Sequence, residues 1–311
     1  MLDMIPAPTI DRAAHLRSDK DWMAKAQLSP TARYFITIDE APAIVANDER
    51  TKASIRWFTY ADIEKFDFIR EIPIFLGLDE NEHPVFALNI TEHRSRIMPG
   101  GPFTLKPWVD LRSLAVQGVM SLEELSLVGM AKAVTAWQQT ARCCGFCGGT
   151  TNIRDGGWRR KCWSCERQFF PRMDPAVIML VTDGDRCILA HEERFPDKMY
   201  STLAGFVEPG ESFEEAVRRE VHEEVGITVG DVSYIASQPW PFPHSLMIGC
   251  LGVAQTTDIT PDPKEIADAQ WFTRDDIAAI LDNQHADDIT APMPWSIAHK
   301  LMRHFVDMPA H

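Results

Sequence analysis

Two groups of side chains have the types and spacing to do chemistry. The first is Glu220, Glu223 and Glu224 in the run Arg219-Glu-Val-His-Glu-Glu-Val-Gly226. Residues three and four apart share a helix face, so these carboxylates would crowd together and repel by about 0.2–0.5 kcal/mol per pair. A hard divalent cation removes that repulsion. All-oxygen ligands of high charge suit Mg2+ or Mn2+, which keep waters and bridge to substrate phosphates. A solvated acidic helix face would carry the same residues, so the helix by itself leaves both readings open. The second group is Cys144-Gly-Phe-Cys147 and Cys162-Trp-Ser-Cys165, two CxxC pairs separated by 14 residues. Four thiolates close a tetrahedral Zn2+ site with no open position, which is structural zinc. Two unrelated thiol pairs or a redox CxxC is the alternative. Cys143 has the wrong spacing for the knuckle, and Cys187 and Cys250 sit in apolar strand patterns that read as core.

A third feature follows the glutamates. In Ser237-Gln-Pro-Trp240-Pro-Phe242-Pro-His-Ser245, prolines alternate with aromatics. Proline removes backbone donors, so the block reads as a stiff loop rather than a central strand. It would present Trp240 and Phe242 to stack on a nucleobase or nicotinamide ring. A connector with buried aromatics is the alternative. Residues 142–172 hold seven basic residues against two acidic ones, a balance of +5 in a chain of net charge −14. That charge offsets a four-thiolate zinc site, and with Trp158 and Trp163 it also permits nucleic-acid binding.

These residues need elements to position them. Pro209-Gly210 marks a turn and Ser212 with Glu215 forms a capping box. Phe213, Ala216, Val217, Val221 and Val225 give an apolar face that ends at Gly226. The spacing predicts a helix over 212–225 between two loops. An α/β pattern begins at Pro175, with strands over 177–181 and 187–191 joined by Asp183-Gly184-Asp185. Residues 1 to about 120 read as mostly β, with runs at 32–38, 55–60, 72–78 and 85–90, a turn over 78–84 and a break at Gly100-Gly101-Pro102. Ser121 and Glu124 open a helix over about 122–140. No chemistry is legible in this first third, which reads as scaffold or oligomerisation domain.

Composition sets the outer limits. At 311 residues the chain is long enough for about two domains. Its 45% hydrophobic and 24% charged residues are those of a globular protein. The net charge of −14 disfavours charge-driven binding to DNA or to an anionic membrane. The longest apolar runs, 175–181 and 246–254, are strand-sized, well short of the roughly 20 residues that span a bilayer. Asp3, Pro6, Pro8 and Asp11 leave no apolar signal region. Metal-ligand spacing of four of the seven cysteines fits a reducing compartment, so a cytoplasmic protein is expected.

The pattern Gly205, five residues, Glu211, seven residues, Arg219-Glu220-Val221, one residue, Glu223-Glu224, one residue, Gly226-Ile227 resembles the Nudix box at every fixed position. The aromatic–proline block after it is similar to the signature of the NADH pyrophosphatase subfamily, whose members also act on NAD-capped RNA. So is the four-cysteine segment before it, followed by Phe169-Phe170-Pro171-Arg172-Met173-Asp174-Pro175. The resemblance is firm over about 142–311 and looser over the first 130 residues. It implies an α/β protein: a Nudix α/β/α sandwich with a mixed sheet over 173–311, preceded by a zinc ribbon over 139–172 and a mostly β N-terminal domain over 1–138. It implies Mg2+ or Mn2+ on Glu220, Glu223 and Glu224, on Glu265 of Asp262-Pro-Lys-Glu265, and on the main-chain carbonyl of Ala204. Glu211 and Arg219 would pair to hold the box in shape.

The same resemblance implies a dinucleotide site lined by Phe206, by Gln238, Pro239, Trp240, Pro241, Phe242, Pro243, His244 and Ser245, and by the main chain of Ala298. Phe170 stands where relatives commonly have a tyrosine, keeping the ring and losing the hydroxyl. Lys106 stands near a substrate-touching arginine of relatives. The implied reaction is metal-dependent hydrolysis of the pyrophosphate of NADH or NAD+ to nicotinamide mononucleotide and AMP, with removal of the NAD cap from RNA to leave a 5′-monophosphate. Glu224 is the first choice for the group that handles the water and Glu265 the second. A homodimer is expected, with Phe170 acting across it. The alternatives are hydrolysis of ADP-ribose or a dinucleoside polyphosphate, and a non-enzymatic zinc-ribbon protein that binds RNA or senses nucleotide.

Overall fold

A computed structural model describes residues 5–65, 71–97 and 107–309. The expected break at Gly100-Gly101-Pro102 and Lys106 lie outside the described residues. The chain divides into two units, one built chiefly from Met173–Trp240 and Ser245–His311, the other from Pro6–Arg172 and Pro241–His244.

The first unit is a sheet between helices. Asp174–Thr182 lies parallel to Ser245–Ala254 and antiparallel to Arg186–His191 and Leu203–Phe206. Val229–Trp240 closes one edge, on Ser245–Ala254, and Asp268–Thr273 the other, on Arg186–His191. Side chains alternate across a strand with period two, and Asp174–Thr182 is apolar on both faces. Val177, Met179 and Val181 pack with Ala216, Val217, Val221 and Val225 of the helix Phe213–Val225. Ile178 and Leu180 pack with Ile277 and Ile280 of Arg274–Leu281 and with Leu301 and Phe305 of Ile297–Asp307. The expected α/β/α sandwich with a mixed sheet is what forms. The helix Phe213–Val225 starts on Ser212, with both bonds of the capping box in place, and stops at Gly226, whose φ of 72° a residue with a Cβ seldom adopts.

One expectation fails here. Ser237 to Trp240 is not loop: it is the last part of the strand Val229–Trp240, and the turn is confined to 241–244. The strand is an edge strand, where alternate N–H groups face away from the ladder, so Pro239 forfeits no ladder bond.

The second unit carries a four-stranded sheet in the order Ala41–Pro42, Arg33–Ile38, Pro84–Asn89, Ile74–Leu78, with the expected hairpin between the last two in sequence. The helix Leu122–Thr140 matches its expected span, capped by Ser121. The run 55–60 is not a strand: Ala53–Ile55 ends one, and Tyr60–Glu64 is a helix. Aromatic and β-branched residues there suggested β structure, but Thr59 and Asp62 form a capping box that sets the local conformation. Helices Lys20–Leu28 and Leu111–Gln117, capped by Asp19 and Asp110, were not foreseen. Residues 142–172 form a small antiparallel sheet of Thr151–Arg154, Arg159–Cys162 and Gln168–Phe169. No helix among the described residues is long and apolar enough to cross a membrane.

Candidate active site

Arg219 organises the carboxylates. Its guanidinium forks onto Glu211, with Nε to Oε1 at 2.6 Å and Nη2 to Oε2 at 2.9 Å. It also donates to Glu220 at 2.9 Å, to Glu223 at 3.1 Å and to the Phe206 carbonyl at 2.8 Å. The hydrogen bond from Arg219, aided by the Glu208 N–H, holds the Glu211 carboxyl down to about 2. Arg219 thus ties the turn at 206–211 to the helix.

Glu224 faces inward, 6% exposed, and its Oε2 has no hydrogen-bond partner. Burial first, and then the charges of Glu220, Glu192 and Glu265, push its carboxyl up to about 8 from an ordinary 4.5, with Arg194 opposing. Glu220 is raised too, first by burial, against the pull of Arg219. The structure therefore brings Glu220, Glu224 and Glu265 into one electrostatic neighbourhood, with Glu223 more exposed at its rim. Glu192 was missed by sequence reasoning. It follows the strand Arg186–His191 and pairs with Arg194 at 2.6 Å. An acidic pair, Glu192-Glu193, after a hairpin strand carries no motif, so only the fold reveals it.

A buried carboxylate oxygen with no partner, among three further carboxylates, fits a bound cation. Gly205 supports the same fit. A Cβ there would stand 1.9 Å from the Glu220 carboxylate carbon, so the absence of a side chain is what lets Glu220 lie against the Leu203–Phe206 strand. Gly205→Ala is expected to displace Glu220 and raise the Mg2+ concentration for half-maximal turnover about tenfold or more, a loss of the size seen when groups that orient metal ligands are removed. A metal titration of turnover checks it, and an unchanged half-saturation point would refute this role for Gly205.

The cysteines form a second cluster. The ligand atoms of Cys144, Cys147, Cys162 and Cys165 all lie within 4.8 Å of one another. Cys144 and Cys165 sulfurs are 3.6 Å apart and Cys147 and Cys162 sulfurs 3.5 Å, contacts between free thiols rather than bonds. The Cys165 N–H points at Cys162 Sγ and lowers its thiol, while the thiol of Cys147 in the same cluster is raised, so the support for a metal lies in the geometry of the four sulfurs. Such a cluster is compatible with zinc. Cys143 is exposed and outside the cluster, and Cys187 and Cys250 are buried, as expected.

Residues 172–293 match the NUDIX domain, and residues 37–137 match the NADH pyrophosphatase-like rudimentary NUDIX domain. The chain is 33% identical to the human NAD-capped RNA hydrolase NUDT12 over 96% of its own length and 72% of that protein's. To the Macaca fascicularis protein of the same name it is 44% identical over the same shares. It is 38% identical to the NAD-capped RNA hydrolase NudC of Mycobacterium bovis (strain BCG / Pasteur 1173P2), over 93% of this chain and 89% of that one. This chain belongs to the Nudix hydrolase family.

The Nudix box is thus the Gly205–Ile227 segment whose geometry has just been described. The expected substrate residues fall into different situations. Phe206, inside the box, is 59% exposed, with its ring free to stack. Trp240 is half-buried, its ring 5.7 Å from that of Trp295. Gln238 is buried and both ends of its amide are engaged, Nε2 donating to the Trp295 carbonyl and Oε1 accepting from the Ile297 N–H. It links the edge strand to the start of the Ile297–Asp307 helix, where Ala298 lies buried in the first turn. Pro239 is exposed on the edge strand, and Ala204 is on the strand paired with Asp174–Thr182. Pro241, Phe242, Pro243 and His244 make the turn to Ser245, and Arg112 lies 4.8 Å over the Phe242 ring. Phe170 is 63% exposed.

Proposed function

We propose that this Nudix hydrolase cleaves the pyrophosphate of NADH and NAD+ to nicotinamide mononucleotide and AMP, and removes the NAD cap from RNA. The observation that supports it most directly is the uncompensated buried Glu224 among Glu220, Glu192 and Glu265, within a chain whose relatives over more than nine-tenths of its length are named NAD-capped RNA hydrolases. Glu220, Glu223, Glu224, Glu265 and the Ala204 carbonyl would hold Mg2+ or Mn2+. Such a cation would neutralise pyrophosphate charge and acidify the attacking water. The water oxygen bonds to one phosphorus, the bridging P–O bond breaks, and the water proton passes to a carboxylate. Glu224 is the group we assign to orienting the water and taking that proton, with Glu265 the alternative. Arg219 keeps Glu220 and Glu223 in place. Phe206 and Trp240 stack on the rings of the dinucleotide, worth about 1–3 kcal/mol per ring. Gln238 acts from behind, by fixing the strand that carries Trp240.

Cys144, Cys147, Cys162 and Cys165 hold Zn2+ in this proposal, in a ribbon over 139–172 between an N-terminal domain over 1–138 and the Nudix domain over 173–311. The enzyme is a cytoplasmic homodimer in which Phe170 stacks on substrate in the second copy.

The test is product analysis with Mg2+ or Mn2+, offering NADH, ADP-ribose and NAD-capped RNA in parallel. Release of nicotinamide mononucleotide from NADH and from capped RNA is expected. Cleavage of ADP-ribose alone would overturn the proposal. Trp240→Ala is expected to lower kcat/KM for NADH about tenfold or more, by the loss of one stacked ring. An unchanged kcat/KM would remove Trp240 from the site.

A further inference from the structure

The ribbon exposes aromatic rings where its own fold has no use for them. Phe146 is 68% exposed and Trp163 is 76% exposed. Phe146 precedes Cys147 and Trp163 follows Cys162, and those two sulfurs are 3.5 Å apart, so the two rings spring from chain positions beside paired sulfurs. The Arg167 guanidinium lies 3.6 Å from the Phe146 ring centre, and the Arg167 carbonyl accepts from the Cys162 N–H at 2.8 Å. Among the described residues no ring or cation covers Trp163, and no carboxylate pairs with Arg167. Trp158 differs, since its indole donates to the Phe75 carbonyl at 2.7 Å and Arg17 lies over its ring. Trp158 therefore fastens the segment in place, while Trp163 and Phe146 are left to solvent.

Large rings left to water on adjacent knuckles, with a guanidinium stacked on one, are the parts of a platform for unpaired bases. Charge selects the occupant. The side chains of 142–172 sum to +5 in a chain of −14, and to +3 once a four-thiolate zinc site of charge −2 is counted, so an anionic strand is attracted here more than to the rest of the surface. We propose that Phe146, Trp163 and Arg167 bind the body of a single-stranded RNA, Trp163 and Phe146 each stacking on a base and Arg167 meeting a phosphate. The identity of this RNA as the capped substrate rests on the function proposed above, but the binding itself does not.

The experiment uses the full chain and an uncapped, 5′-monophosphorylated single-stranded RNA of about 12 nucleotides, within the usual span of such sites. Affinity is read by fluorescence anisotropy. Trp163→Ala and Phe146→Ala are each expected to weaken binding about tenfold, and Trp163→Phe to recover most of the loss. Arg167→Gln is expected to lower the slope of log affinity against log salt by about 0.7, one phosphate contact on a single strand. NADH turnover, zinc content and sedimentation are followed in parallel and are expected to stay unchanged, while kcat/KM for NAD-capped RNA falls with the RNA affinity. Unchanged RNA affinity in Trp163→Ala with zinc intact overturns the proposal. So does a change of oligomeric state in that variant, which would mean that a second copy of this chain covers the face. Failure to cleave NADH would sink the proposed activity and leave the RNA measurement standing.

Discussion

Glu224→Gln is expected to lose at least about 100-fold in turnover, the low end of what a positioned proton-transfer group supplies, and yet to melt at a higher temperature than the parent in Mg2+-free buffer at pH 8. The two halves have one cause. Glu224 is buried, one of its oxygens has no hydrogen-bond partner, and Glu220, Glu192 and Glu265 surround it with like charge. With no cation it stays protonated up to about pH 8, against an ordinary 4.5. Its pKa is higher folded than unfolded, so above pH 4.5 the unfolded chain releases this proton more readily than the folded one. Stability is therefore lost as pH rises from 4.5 through about 8. The size is on the order of 4 kcal/mol at the upper end, from about 1.4 kcal/mol per unit. A neutral glutamine removes this penalty, and for a domain of this size that is worth roughly 5 °C or more in Tm.

Mg2+ is expected to reverse the comparison. Added to the parent at pH 8 it stabilises the ionised Glu224 and raises Tm. Added to Glu224→Gln it does much less. At pH 4.5 the two proteins are expected to melt together in Mg2+-free buffer. Thermal melts at both pH values, with and without Mg2+ and with zinc content unchanged, check all of this. Equal melting temperatures at pH 8 with no response to Mg2+ would mean that Glu224 is not strained by its neighbours and that the cation lies elsewhere.

What the sequence revealed and what it hid follow from the range of the forces involved. The helix under the glutamates was legible because its determinants are local: Ser212 and Glu215 at one end, Gly226 at the other, apolar residues at helical spacing between. The Glu211–Arg219 pair was legible through resemblance, but the reach of Arg219 to Glu220, Glu223 and the Phe206 carbonyl was not, because it depends on how the turn folds back over the helix. Glu192 was hidden because it arrives beside Glu224 through strand pairing. The aromatic–proline block is loop only over 241–244; its first part, 237–240, is strand, and Pro239 is the proline that this strand accommodates. Proline excludes a central strand, and an edge strand is the case that remains. Gln238 is expected among the substrate contacts from resemblance, and the hydrogen bonds of its amide to the Trp295 carbonyl and the Ile297 N–H are visible only in the fold.

Cys162→Ser is expected to cost the whole ribbon. Between residues 142 and 172 the buried apolar residues are Cys144 and Cys162 alone. Short strands with so little core are not stable without a staple. The staple available is the four-sulfur cluster, and structural zinc contributes about 10–16 kcal/mol in small metal-stabilised folds. Replacing one buried thiolate ligand by a hydroxyl removes most of that. Zinc content is expected to fall from one ion per chain towards none, and trypsin to cut at Arg154, Arg159 and Arg160, which lie in or beside the two longer ribbon strands. Cys143→Ser is the control. Cys143 neighbours the cluster in sequence, but its sulfur is outside it, and only its backbone bridges to Thr150. It is expected to keep zinc and resist trypsin. If Cys143→Ser lost zinc as fully as Cys162→Ser, the ligand set would be wrong. If Cys162→Ser kept its zinc and its protection, the ribbon would be held by contacts such as Trp158 on the Phe75 carbonyl, Arg160 on the Gln138 carbonyl and the Gln138 amide on the Gly157 carbonyl.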